Sequence, residues 1–83
     1  MRKDVDKEFI QKLGMSIRKA RIKKGITMEE LAFTCDVEYS QISRIERGLI
    51  NTSVNTIHLI AQALDVEAKE LFEQKFLQSI MRR

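Results

Sequence analysis

The side chains with the most binding chemistry in this 83-residue chain occur close together, between positions 38 and 48. On a helical wheel with about 100° per residue, Ile42 and Ile45 share one side of this stretch. Hydroxyl and guanidinium groups fall on the opposite side, contributed by Tyr39, Ser40, Ser43, Arg44 and Arg47. No carboxylate falls among them. The pattern predicts a short helix that docks by its isoleucines and presents hydrogen-bonding groups outward.

These outward groups suit the major groove of double-stranded DNA. The groove admits an α-helix and displays the N7 and O6 acceptors of guanine, which a bidentate arginine such as Arg44 can bind. A solvated surface helix is the alternative, but surface helices usually mix Glu and Lys at four-residue spacing, and this face does not. Ser40 and Ser43 are poor helix formers with little structural reason to stand outward. We therefore interpret the face as a candidate base-reading surface.

Composition and charge limit the other functions of the chain. Hydrophobic residues make up 43% and charged residues 33%, which is typical of a globular domain. No apolar run approaches the roughly 18 residues of a membrane span, and the first eight residues lack the apolar stretch of a secretory leader. We therefore expect one cytoplasmic domain over residues 1–83. Basic residues without any acidic residue between Lys12 and Lys24 should attract anions.

Catalysis and metal binding are not expected from these residues. One cysteine, Cys35, and one histidine, His58, supply neither a disulfide nor a metal cluster. No Ser-His-Asp set and no phosphate-binding glycine loop can be assembled. Cys35 is expected to be a small buried hydrophobic residue. The sequence predicts a binding protein that is not an enzyme, with no cofactor, no metal and no small-molecule ligand.

Hydrophobic periodicity predicts an all-α fold of five helices. The first helix covers about residues 6–24 and ends at Gly25, because glycine reaches positive φ at little cost. Thr27 and Glu30 form a capping box for the second helix, which ends near Asp36.

The remaining helices are predicted from their capping residues and apolar positions. The third covers about residues 39–47 and is stopped by Gly48, so that all three glycines are expected where helices stop or bend. Ser53 caps a fourth helix, whose expected inward residues are Val54, Ile57, Ile60, Ala61 and Leu64. A fifth helix is expected from about residue 67 to near residue 81.

Residues 13–66 resemble the helix-turn-helix domain of the phage-repressor and Cro family, also called the xenobiotic-response-element family of bacterial regulators. The resemblance is carried by LGMSIRKARIKKGITMEELA, by ISRIERG and by TIHLIAQALDV, in the order and spacing of the family. It implies a five-helix, lambda-repressor-like DNA-binding domain. We expect its core over residues 9–72 and an extension of the C-terminal helix over residues 73–83, past the usual family boundary. The second and third helices are then the DNA-binding pair.

The resemblance also implies roles for individual residues. Base-contacting positions of the family are occupied by Tyr39, Ser40 and Arg44, with Ser43 close by. Positions that often hold phosphates are occupied by Gln41, Arg47, Asn51 and Thr52, and by the amides near Thr27 and Met28. A family ion pair between the first helix and the end of the third is matched by Arg21 and Glu46.

Departures from the family pattern occur at two kinds of position. Met28 stands where glutamine is common, and its thioether cannot donate a hydrogen bond to a phosphate. Asp36 replaces the usual glycine between the second and third helices, and Asp65 occupies a similar place after the fourth. Aspartate tolerates left-handed backbone geometry better than most residues, so both turns remain feasible.

A homodimer is a further implication of the resemblance, since the family usually binds near-palindromic sites as two-fold dimers. The candidate interface is an apolar stripe on the last predicted helix, formed by Phe76, Leu77, Ile80 and Met81, with Leu59 outward on the fourth helix. Alternatively, the stripe only completes the core. The length of the chain resembles that of restriction-modification controller proteins. An antitoxin that represses its own operon and a protein-interaction module on the same fold are the alternatives.

Overall fold

A computed structural model describes residues 6–73, which form five α-helices and no β-strand. The helices are α1 (Lys7–Lys24), α2 (Met28–Cys35), α3 (Tyr39–Glu46), α4 (Val54–Leu64) and α5 (Ala68–Phe72). The predicted all-α fold is confirmed, and the first three helices end within one residue of the predicted positions. Most of the predicted C-terminal extension lies outside the described residues, including Phe76, Leu77, Ile80 and Met81.

One core is shared by all five helices. Each helix contributes one large side chain that is almost completely buried, namely Ile17, Leu31, Ile42, Ile60 and Leu71. Burying a side chain of this size stabilises a fold by roughly 1.5–3 kcal/mol. The helix α3 packs against α1 and α2, while α5 packs against α1 and α4. No helix within residues 6–73 is both long and apolar enough to cross a membrane.

Helices α1, α2 and α4 end with the same arrangement of hydrogen bonds. Each is followed by a residue with left-handed φ, and these residues are Gly25, Asp36 and Asp65. The next amide donates back to a carbonyl five residues earlier, as from Val37 to Ala32 at 3.0 Å. The hydrophobic residue at that amide packs against the core in all three cases. The prediction that the two aspartates adopt left-handed geometry is confirmed, with φ of 57° and 59°.

Helix starts differ in how their free amides are bonded. The predicted capping box at α2 is confirmed, since the Glu30 amide donates to Thr27 Oγ1 at 3.0 Å and the Thr27 amide donates to Glu30 Oε1 at 2.7 Å. Ser53 also caps α4 as predicted, by accepting from the Thr56 amide at 3.0 Å. By contrast, the Glu38 side chain makes no capping hydrogen bond at the start of α3.

Two predictions about side-chain placement are wrong. Val54 is not inward but 84% exposed, because it is the first residue of α4 and precedes the turn that packs against the core. Leu59 is not fully outward but half-buried against the core, since α1, α2 and α5 all pack on α4. Gly14 lies inside α1 and does not end the helix, so that a bend of α1 at Gly14 stays a prediction.

Candidate nucleic-acid interface

The α3 polar face, defined as Tyr39, Ser40, Ser43 and Arg44, is open to solvent at three of its four positions. Tyr39 is 46% exposed, Ser40 and Arg44 are exposed, and Ser43 is half-buried. On the other side of the helix, Ile42 and Ile45 are buried in the core. The hydrophobic side therefore fixes the helix while the hydrogen-bonding groups remain accessible to a ligand.

The C-terminal end of α3 is held to α1 by a buried ion pair. Arg21 Nε donates to Glu46 Oε2 at 2.6 Å, and Arg21 Nη2 donates to Glu46 Oε1 at 3.1 Å. Both side chains are buried, and Arg21 Nη1 also donates to the carbonyl of Ile26 at 3.0 Å. The pair implied by the family resemblance is thus present and bidentate, and it joins α1, the turn after α1 and α3.

The ion pair of Arg21 and Glu46 has a structural role. The hydrogen bond to Glu46 raises the pKa of the Arg21 guanidinium above its ordinary value, although burial acts in the opposite direction. The guanidinium therefore stays charged. Because Glu46 is bonded to it through both carboxylate oxygens, Glu46 is not available as a general acid or base. Within residues 6–73, no three His, Cys, Asp or Glu side chains are grouped to hold a metal ion.

The start of α2 offers two backbone amides for an anion. The capping box already binds the amides of Thr27 and Glu30, so the Thr27 amide is not free for the predicted phosphate contact. The amides of Met28 and Glu29 remain at the positive end of the helix dipole. The Met28 side chain is half-buried against the core, which gives this departure from the family pattern a packing role.

The loop between α3 and α4 carries three of the polar side chains predicted to bind phosphates. Arg47 and Asn51 are exposed, and Thr52 is half-buried. Arg47 Nε donates to the carbonyl of Ser43 at 3.4 Å. This long bond does not use the other guanidinium N–H groups of Arg47. Gln41 on α3 is half-buried. Three of the predicted phosphate ligands therefore follow α3 directly along the chain.

Comparison with known proteins identifies this arrangement. The model of a family described as helix-turn-helix matches residues 17–71. The chain belongs to this family, of the xenobiotic-response-element type. It is a helix-turn-helix transcriptional regulator.

Two similar proteins are described as a control protein and as a restriction-modification controller protein. The control protein C.BamHI of Bacillus amyloliquefaciens is 41% identical over 61 residues, which cover 72% of this chain and 75% of that protein. The crystal structure of the restriction-modification controller protein C.AhdI from Aeromonas hydrophila superposes with a TM-score of 0.72 and 38% identity, covering 77% of this chain and 96% of that one.

Similarity extends to a longer regulator. The transcriptional regulator SlrR of Bacillus subtilis is 39% identical over 62 residues, which cover 74% of this chain but only 41% of SlrR. The shared part is therefore the helix-turn-helix domain.

An exposed leucine follows α3 and was not predicted from the sequence. α3 ends with the same hydrogen bonds as α1, α2 and α4, since the Leu49 amide donates to the Arg44 carbonyl at 2.9 Å after Gly48 with φ of 72°. In the other three helices the residue at this position packs against the core, whereas Leu49 is 60% exposed. The sequence signal that could have pointed to Leu49 is its position directly after Gly48, the glycine that ends the helix.

A second apolar surface lies beside this loop. The apolar rim, defined as Phe9, Val54 and Phe72, borders a groove of about 170 Å³ whose wall also includes Asn51 and Thr52. All three side chains of the rim are exposed. The rings of Phe9 and Phe72 are stacked, with centroids 6.2 Å apart and planes at 15°. Candidate phosphate ligands and exposed hydrophobic groups therefore share one groove.

Proposed function

We propose that the protein is a cytoplasmic, sequence-specific regulator of transcription that reads double-stranded DNA with the α3 polar face. The observation that carries the proposal is the contrast between the two sides of α3, with Ile42 and Ile45 buried and Ser40 and Arg44 exposed. Arg44 is the residue with the chemistry to bind guanine bidentately, and the hydroxyls of Tyr39, Ser40 and Ser43 can donate or accept.

Phosphate contacts would set the register of the reading helix in the groove. Arg47 and Asn51 supply exposed donors just after α3, and Gln41 and Thr52 lie partly exposed nearby. At the start of α2, the amides of Met28 and Glu29 would replace the predicted contact of Thr27, because an anion is stabilised at a helix N-terminus. Each phosphate bound by a cation releases counterions, so binding should weaken as salt increases.

A homodimer is part of the proposal. A single reading helix covers few base pairs, and two copies related by a two-fold axis would place their helices about 34–36 Å apart in successive major grooves. The apolar rim and Leu49 are exposed close to the loop that follows α3, which makes them candidates for the contact between copies. The stripe at residues 76, 77, 80 and 81 remains a second candidate surface, and Leu59 has little exposed area to add.

The rim can be tested with a matched pair of charge substitutions. Val54 and Asn55 are neighbouring exposed residues at the start of α4, where an acidic side chain is compatible with the helix dipole. Val54→Asp should weaken self-association at least tenfold in sedimentation equilibrium, while Asn55→Asp should leave it unchanged. If both variants associate equally strongly, the apolar rim is not the contact between copies.

The specific biological role proposed is that of a restriction-modification controller protein. C.AhdI is described as a restriction-modification controller protein and C.BamHI as a control protein, and the chain covers three quarters or more of each. An antitoxin that represses its own operon would use the same DNA-reading surface, so the two roles differ in the genes beside the bound site rather than in the fold.

Selection of bound sequences from random duplexes tests the function. A near-palindromic site with half-sites about 10–10.5 base pairs apart should be enriched, and affinity for it should fall steeply between low and physiological salt. If no sequence is enriched and duplex binding is absent at low salt, the fold serves instead as a protein-interaction module.

A further inference from the structure

Gly14 brings the backbone of α1 into direct contact with the C-terminal end of α3. A Cβ atom built on Gly14 would lie 2.7 Å from the carbonyl oxygen of Glu46 and would collide with the carbonyl oxygen of Ile45. These oxygens belong to backbone and cannot turn away as a flexible side chain would. Only a residue without a side chain allows α1 and α3 to approach this closely.

Gly48, two residues after the end of α3, makes a second close contact with α1. A Cβ atom on Gly48 would lie 2.7 Å from both Cα and Cγ of Gln11 on α1. Gln11, Gly14 and Arg21 fall on one side of α1, within about 80° on a helical wheel. One side of α1 therefore contacts residues 45, 46 and 48, by two glycine contacts and by the ion pair to Glu46.

We propose that Gly14 and Gly48 are positioning residues for DNA recognition, which set the distance between α1 and α3 and so how far the α3 polar face projects. The inference rests on the proposed function. An ordinary van der Waals contact begins at 3.4 Å, so a methyl group at Gly48 would displace its neighbour by about 0.7 Å, and one at Gly14 would displace the Ile45 carbonyl by more. Binding groups must be held to within about 0.5 Å of their productive positions, which makes a shift of this size large enough to weaken base contacts.

Gly25 supplies a matched control for Gly48. Both glycines follow a helix and have left-handed φ, 84° for Gly25 and 72° for Gly48, so alanine carries similar backbone strain at either position. A Cβ atom on Gly25 would meet nothing within 4 Å. The two alanine variants therefore differ mainly in the contact with α1.

The experiment measures the ratio of affinities for the selected site and for a random duplex, in Gly25→Ala, Gly48→Ala and Gly14→Ala. Denaturation curves first identify a temperature at which the variants are folded. Gly48→Ala should lower the ratio about tenfold and Gly14→Ala at least as much, while binding to random duplex stays within about twofold. Gly25→Ala should keep the wild-type ratio. A loss of stability alone would not change the ratio of a folded protein.

Each other result rejects the inference. If Gly48→Ala and Gly14→Ala are folded and keep the wild-type ratio, the close contact does not position the reading helix. If both are unfolded where Gly25→Ala is folded, the glycines serve folding of the whole domain and the positioning role is rejected. A wild-type protein without sequence preference would instead reject the proposed function, which separates the two failures.

Discussion

The two ends of α3 are held in different ways. At its C-terminal end, Glu46 is buried in a bidentate ion pair with Arg21, and the backbone lies against Gly14 of α1. At its N-terminal end, the Glu38 side chain makes no capping hydrogen bond, and Tyr39 is exposed. The comparison indicates that a buried ion pair fixes the C-terminal end of α3, whereas no side-chain cap fixes its N-terminal end, where Tyr39 remains exposed.

The largest expected effect comes from breaking the ion pair at the C-terminal end. Glu46→Ala should reduce the free energy of unfolding by about 3–5 kcal/mol, because it leaves Arg21 buried without a partner charge. Urea denaturation measures the loss. The double variant Arg21→Met with Glu46→Leu should recover most of it, since apolar residues can replace a buried pair. A loss below about 1 kcal/mol in Glu46→Ala would mean that this end is not held by the pair.

A smaller effect is expected in the turn that leads into the N-terminal end. Asp36→Ala should cost about 1 kcal/mol, because alanine tolerates left-handed φ less well than aspartate. Asp65→Ala is the matched variant, since Asp65 has nearly the same φ in a turn remote from α3. Equal losses in chemical denaturation would show that backbone geometry alone decides the cost. A much larger loss at Asp36 would reveal additional contacts at the N-terminal end.

A better capping residue at the start of α3 should stabilise the domain. Glu38→Ser should increase the free energy of unfolding by about 0.5–1 kcal/mol, since serine can accept a hydrogen bond from an amide of the first turn and Glu38 does not. Thermal unfolding of the two proteins gives the comparison. Unchanged or lower stability would show that Glu38 already contributes to this end.

Cys35, the buried last residue of α2, reports whether the core is tightly packed near the start of α3. This test needs no substitution. Burial raises the pKa of the Cys35 thiol, so less thiolate is present at a given pH than in the unfolded chain. Alkylation at pH 8 should therefore be many times slower in the native protein than in urea. Alkylation at the rate of the unfolded chain would show that the core around Cys35 is loosely packed.

Local chemistry made much of this fold predictable. Thr27 and Glu30 could be paired from their spacing, and the two faces of α3 followed from Ile42 and Ile45, because such features depend on residues three or four apart. The left-handed aspartates also followed from residue type and position. In each case one short stretch of chain contains all the interacting groups.

Features that depend on distant segments could not be predicted in the same way. The role of Gly14 is set by carbonyl groups of residues 45 and 46, which no local pattern relates to it. Val54 was misplaced because a helical wheel treats the first residue of a helix like its interior, whereas that residue lies beyond the core. The Arg21 and Glu46 pair came from family resemblance, and only the structure gives its two hydrogen bonds.

The most direct test of the central claim compares two exposed arginines near the end of α3. Arg44 lies on the α3 polar face and Arg47 just beyond it, so their alanine variants lose the same charge from neighbouring positions. Affinity is measured for the selected site and for random duplex at one salt concentration. Arg44→Ala should lose about 1–3 kcal/mol on the selected site and little on random duplex, whereas Arg47→Ala should weaken both alike. If Arg44→Ala weakens both duplexes by the same factor, the α3 polar face does not read bases through Arg44.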